Sequence, residues 1–278
     1  MKAQSVLAVW IGLAAGVGCI AQTAPTQQSV EARLRGPFLM LRGMYDGRTL
    51  EFAADGKLEG KAGRLPFGLS ALRVDGIRMK DSEVEIDATR EGLVFPPNDS
   101  GEVERVRAEP WGSQNTVAIS IARDPRHPEK LDSALTKVFA VGLESGLARQ
   151  APQYWRMWLK HQLDPSFFAM MPRPAVPLGN AGNPPTAQGQ VKPQQIVHAP
   201  PADLPAAARE AKYVRTSVLG VMINANGVVQ EIYILRPAGM GLDEVAGETV
   251  RHHQFQPAMV NGASVAIITS IQVEFRLQ

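Results

Sequence analysis

Three groups of residues in this chain have the types and spacing for chemistry. His252 and His253 are metal-ligand types, but adjacent positions on a helix point to different faces, and no further ligand stands at coordination spacing. Asp81, Glu83, Glu85 and Asp87 alternate, so on a strand they share one face; this pattern suits a cation, and a solvated outer face explains it more simply. Tyr154, Trp155 and Trp158 could stack a sugar ring of a carbohydrate, or anchor a helix to its domain, the commoner use of such residues. His127, between Asp124-Pro125 and Pro128, reads as an exposed loop residue. No Gly-rich phosphate loop or nucleophile elbow occurs, so an enzyme is the least supported class and no metal or cofactor is expected.

A different chemistry, that of an unpaired backbone, is offered by the last stretch of the chain. Val265, Ile267, Thr269, Ile271, Val273, Phe275 and Leu277 alternate with Ser264, Ala266, Ile268, Ser270, Gln272, Glu274 and Arg276. This is a half-buried strand with a mostly polar outer face. At a sheet edge it would accept an extended peptide by strand addition, with Ser264, Ala266, Ile268, Ser270, Gln272 and Glu274 as the partner-binding positions.

The elements that hold this strand are legible upstream. Ser217 to Asn224 and Val228 to Arg236 are apolar, β-branched runs around Asn224-Ala225-Asn226-Gly227, whose residues tolerate the positive φ of a tight hairpin. Pro237 ends the second run. Leu242, Val245, Ala246 and Thr249 recur at helical spacing over residues 242–253, with Asp243 and Glu244 at the positive N-terminus. Asn261-Gly262 then turns the chain into the final strand.

Taken together, Leu204-Pro205-Ala206, Asn226-Gly227, Leu242-Asp243, Phe255-x-Pro257-Ala258, Asn261-Gly262 and Phe275-Arg276-Leu277 resemble, in order and spacing, the C-terminal domain of the TonB family. The resemblance covers roughly the last quarter of the chain. It implies structural roles for Pro205, Gly227, Leu242, Asp243, Phe255, Pro257, Gly262 and Phe275, and an outer-membrane transporter or another envelope protein as partner. A motor complex of the inner membrane enters only if the chain is anchored there, and dimerisation through final strands is left open. Leu204, His253 and Gln254 depart from the Tyr, Trp and Arg usual in the family, and the Gly that commonly opens the first strand is absent.

Residues 30–164 read as a β-rich domain with one or two helices. Strands are expected at 38–45, 49–53, 71–74, 82–87, 92–95 and 116–122, with turns at Asp46-Gly47, 54–57 and Arg90-Glu91-Gly92. One helix is expected over Glu129 to Arg149, and Tyr154 begins a second, short one. Leu41-Arg42-Gly43-Met44-Tyr45, then Leu50-x-Phe52 with Gly56, and the late Tyr154-Trp155 resemble an uncharacterised domain found upstream of TonB-like C-termini in other exported proteins. Residues 165–200, punctuated by Pro172, Pro174, Pro177, Pro184 and Pro185, read as an extended linker that could reach on the order of 100 Å.

Residues 1–24 set the compartment. After Met1-Lys2, Ser5 to Ala21 is apolar and charge-free, which reads as an export signal cut after Ala21 and places the mature chain in the periplasm. An uncleaved inner-membrane anchor is the second reading and lipidation at Cys19 the third. Cys19 is the only cysteine, so a cleaved chain has no disulfide or thiol chemistry. A net charge of +2 and 6% aromatic residues argue against nucleic acid. The expected class is therefore α+β: a β-rich N-terminal domain, a Pro-rich linker, and a C-terminal β-β-α-β unit at 201–278.

Overall fold

A computed structural model of the chain describes residues 25–36, 38–96, 106–112, 115–163, 191–192 and 194–277. Residues 1–24, expected to be an export signal, and most of the Pro-rich stretch lie outside the described residues. None of the described helices is long and apolar enough to cross a membrane.

The fold is mixed α+β. Its N-terminal part is an eight-stranded sheet. Helix α1 (Gln27–Leu34) leads into β1 (Leu39–Leu41), β2 (Thr49–Phe52), β3 (Leu58–Glu59), β4 (Ala71–Met79), β5 (Glu83–Val94), β6 (Arg107–Pro110) and β7 (Thr116–Ala122). Helix α2 (Lys130–Val138), β8 (Phe139–Val141), α3 (Ser145–Gln150) and α4 (Gln153–Leu163) follow. The strand order is β3-β2-β7-β5-β4-β1-β8, with β6 beside β5. All pairs are antiparallel except β2 with β7.

Two expectations are corrected here. Residues 129–149 do not form one helix: Phe139–Val141 leave it as a strand and pair with β1. Phe139 and Ala140 are thereby buried on opposite faces of the sheet, a gain that a continued helix would forgo. The turn expected at Arg90-Glu91-Gly92 is the interior of β5, which runs unbroken as a twelve-residue strand. Arg90 and Glu91 are charged yet buried there; Arg90 reaches the Gly47 carbonyl and Glu91 accepts from Arg73.

Period-two alternation sends the sheet's two faces into two cores. Leu39, Leu41, Leu72, Val84 and Ile86 pack under α1 and α2, with Val30, Leu34, Leu131 and Leu135. Phe38, Met40, Ala71 and Leu93 face the other way.

That second core does not end with the sheet. It continues into the C-terminal unit through Phe67, Phe95, Trp155, Trp158, Met240 and Leu242. This unit contains α5 (Ala206–Glu210), β11 (Thr216–Ile223), β12 (Val229–Arg236), α6 (Leu242–Arg251) and β16 (Ile267–Glu274), with the sheet ordered β12-β11-β16. Two short strands, β9 (Val191–Lys192) and β10 (Gln195–His198), precede it. They run antiparallel to β14 (Ala258–Val260) and β13 (Gln254–Gln256). The last residues expected to be linker therefore pair with the segment around Pro257. Helix α4 packs on β12, and Met240 N–H donates to the Leu93 carbonyl at 2.9 Å, joining the two parts backbone to backbone.

A strand edge as the candidate binding site

The expected final strand is present, divided in two. Ala263–Val265 (β15) returns along β14 after the turn at Asn261-Gly262, where both residues have positive φ. Beyond Ala266 the chain moves onto β11 as β16, in unbroken register from Ile267 opposite Ile223 to Glu274 opposite Thr216. Among the described residues no strand pairs with the other side of β16.

Backbone alternation tells which groups face that open side. Asn224 N–H donates to the Val228 carbonyl, so at Asn224 the backbone of β11 points toward β12. One residue back it points the other way. Ile223, Val221, Leu219 and Ser217 thus turn toward β16, opposite Ile267, Thr269, Ile271 and Val273. The backbone groups of Ile268, Ser270, Gln272 and Glu274 face outward. Ser270, Gln272 and Glu274 are exposed and Ile268 half-exposed, while Ile271, Val273 and Phe275 are buried beneath. Ser264 and Ala266 are exposed but lie outside this run: Ser264 is paired to Met259 in the preceding hairpin. Gln194 Nε2 donates to Thr269 Oγ1 at 2.9 Å, so the entering chain touches the start of β16, a contact the sequence does not announce.

The remaining motif positions hold this edge in place. Pro205 caps α5. Gly227 has φ +79° in the hairpin turn, and a Cβ there would lie 2.1 Å from the Phe255 carbonyl oxygen, so the turn packs directly on the 254–256 backbone. Phe255, Leu242 and Phe275 are core residues, Pro257 separates β13 from β14, and Gly262 turns into β15.

Asp243 is fully buried and acts as a three-way acceptor. Its Oδ1 takes Ser217 Oγ–H at 2.6 Å and Ala238 N–H at 2.8 Å, and its Oδ2 takes Gly239 N–H at 2.8 Å. It therefore ties β11, the β12–α6 loop and α6 together. Burial, with neighbouring Glu244, pushes its carboxyl up to about 7, against the pull of those three donors.

Glu244 was legible only as a first-turn acid favouring the helix dipole. In the fold its Oε1 accepts Gly68 N–H at 3.2 Å and Trp155 Nε1–H at 2.9 Å, both from the N-terminal part. Burial raises its carboxyl as well. Tyr154 O–H bonds Glu248 one helical turn on. The aromatic cluster is thus an anchor: Trp155 and Trp158 are buried, edge-to-face at 5.7 Å, and Phe67 and Phe95 surround them.

The other candidate groups fall away from chemistry. Glu85 and Asp87 pair with Arg78 at 3.0 and 2.7 Å, and Lys80 bonds Glu83 and Glu85, so three of the four carboxylates are held by cations of β4 and the turn after it. His127 sits 3.2 Å from Glu129 in an exposed loop. The His252 ring bonds the Glu248 carbonyl on its own helix. His253 is half-buried 6.0 Å from the Phe255 ring, and burial lowers its pKa. No group of three or more metal-ligand side chains gathers among the described residues.

Residues 187–277 match the family model described as Gram-negative bacterial TonB protein C-terminal. No curated protein matches the chain. The match begins just before β9 and ends just after β16, so it takes in the two short leading strands as well as the β-β-α-β unit.

Proposed function

We propose that this chain is a cell-envelope protein of the energy-transducer type, and that its TonB-type C-terminal domain captures an extended peptide of an outer-membrane transporter by strand addition to β16. The observation that carries the reading is the one-sided pairing of β16: four consecutive outward backbone positions, Ile268 to Glu274, stand on a buried apolar footing. Main-chain hydrogen bonds would supply affinity, and the outer-face side chains the choice of partner. This is protein–protein recognition rather than catalysis.

Proline at an outward position removes one N–H and places a ring on the docking side, without touching a bond to β11. Ser270→Pro and Ile268→Pro are therefore expected to weaken capture of synthetic transporter peptides at least tenfold by fluorescence anisotropy, with the circular dichroism spectrum unchanged. Full-strength binding by both folded variants would sink the strand-addition reading.

A second reading keeps the binding domain and drops energy coupling. It is favoured by one feature: Ser5 to Ala21 contains no His, Asp, Glu, Lys or Arg through which a proton-driven motor could be engaged. The mature N-terminus, measured by intact mass on fractionated envelopes, separates the two. A chain retaining Met1 in the inner membrane supports the transducer; a soluble chain beginning near Gln22 supports an exported scaffold.

A further inference from the structure

The N-terminal part contains a cavity of about 270 Å³ between β2, the end of β1 and the C-terminal ends of α2 and α3. Arg42, Arg64 and Lys137 line it, with Tyr45, Gln150 and Gly56, and no carboxylate side chain is among its lining residues. Three cations from three separate elements thus meet at one small polar space.

The chain is shaped to bring them there. Met44, a buried non-glycine residue, is held at φ +50°, a conformation that costs of order 1–3 kcal/mol and persists only where the surroundings enforce it. This turn pairs with 63–65: Leu65 N–H donates to the Met44 carbonyl, Asp46 N–H to the Gly63 carbonyl, and Tyr45 bridges Arg64. Arg64 is thereby set beside Arg42. A Cβ on Gly43 would overlap the Tyr45 ring at 2.0 Å, so glycine lets that ring fold back into the wall. Gly56, at φ +80°, lets its loop press on α2 beside Lys137, and Lys137 Nζ is steadied by the Asp55 carbonyl at 3.0 Å.

The charge is only partly cancelled. Arg42 is buried, its Nε spent on the Thr136 and Phe139 carbonyls at 2.7 and 2.9 Å and its Nη2 on Glu144. Its Nη1 makes no hydrogen bond among the described residues. The Asp55 carboxylate pairs with Lys57 at 3.2 Å and also feels the charge of Lys137. No carboxylate pairs with Arg64 among the described residues, and Arg149 adds its charge beside Arg42. The two sequence motifs around Leu41–Tyr45 and Leu50–Gly56, left without a role by the peptide-binding edge, both end at this cavity.

We infer that the cavity is a binding site for a phosphate-type oxyanion, free or as the phosphoryl group of a larger molecule. A tetrahedral oxyanion presents oxygens in several directions and suits three converging cations; a carboxylate is saturated by one forked guanidinium. This site is independent of the β16 edge.

The test is titration of the full chain with inorganic phosphate, with glycerol phosphate and with acetate, at ionic strength matched by sodium chloride, read by calorimetry and thermal midpoint. Phosphate is expected to bind and raise the midpoint beyond chloride. Arg64→Gln and Lys137→Gln, both at exposed positions, are each expected to weaken it about tenfold, the loss of one charge-assisted hydrogen bond. Arg251→Gln, in the C-terminal unit, should leave it unchanged. Binding of inorganic phosphate alone assigns the free ion, and tighter binding of glycerol phosphate assigns a phosphoryl-bearing ligand; either supports the site. No phosphate effect beyond chloride, equal binding of acetate, or full affinity in both folded variants overturns it.

Discussion

Asp243 joins three segments through its carboxylate, and its chemistry gives a stability signature. With its carboxyl raised from an ordinary 3.8 to about 7, the folded chain holds a proton over a range where the unfolded chain has released it. Stability from this group is complete below pH 4 and is lost as pH rises toward and through 7. Glu244, also raised, slopes the same way. Urea unfolding between pH 5 and 8 should therefore show a falling free energy. Asp243→Asn should flatten that fall while lowering stability by about 2 kcal/mol, because the amide nitrogen that replaces Oδ2 cannot accept from Gly239 N–H. A flat wild-type profile would show that the three donors outweigh burial. The Leu-Asp pair was readable as the start of a helix. The carboxylate's role as a knot was not, since Ser217 lies far from it in sequence and a burial of this kind is written in no local pattern.

At the level of elements, alternation and turn chemistry made the C-terminal hairpin readable to within a residue, its arms falling at Thr216–Ile223 and Val229–Arg236, while the helix, Leu242–Arg251, stops two residues short of the expected 253. The break at Ala266 escaped notice because the same two-residue period runs through both halves, and only the exchange of partners from β14 to β11 marks it. In the N-terminal part, Phe139 satisfied a helical face and a strand face equally, and tertiary pairing decided. Helix α4 is the element that most deserves a mutational probe: its Trp155 is fully buried in aromatic contact with Phe67 and Phe95 and hydrogen-bonded to Glu244. Trp155→Ala should cost about 3–5 kcal/mol, measured by chemical denaturation, whereas Trp155→Phe, which keeps most of the volume and forfeits the Glu244 bond, should cost less. Equal losses would mean that the polar contact, not the packing, secures the helix.

Across the whole molecule the two parts behave as one body in their packing. Phe67, Trp155 and Met240 belong to the same core as Leu219, Ile234 and Val250. At the contact Gly239, with φ +93°, would place a Cβ 2.4 Å from the Leu93 carbonyl oxygen, so the backbones meet only because no side chain intervenes. Calorimetry of the chain should accordingly give a single cooperative transition. Gly239→Ala should lower its midpoint and begin to split it, by prying β5 from the β12–α6 loop. Two well-separated transitions in the unaltered protein would mean that the shared core contributes little. The Pro-rich composition between the parts suggested independent bodies on a tether, and no sequence rule would have paired Trp155 with Glu244 across it.

The shared core has a mechanical corollary. The Trp155–Glu244 and Met240–Leu93 hydrogen bonds join the two parts, so a load applied between the N-terminal sheet and a peptide held on β16 would bear on the packed interface. Under such a load the molecule would be stiff until that interface parted: a fuse in series with its cargo rather than a spring.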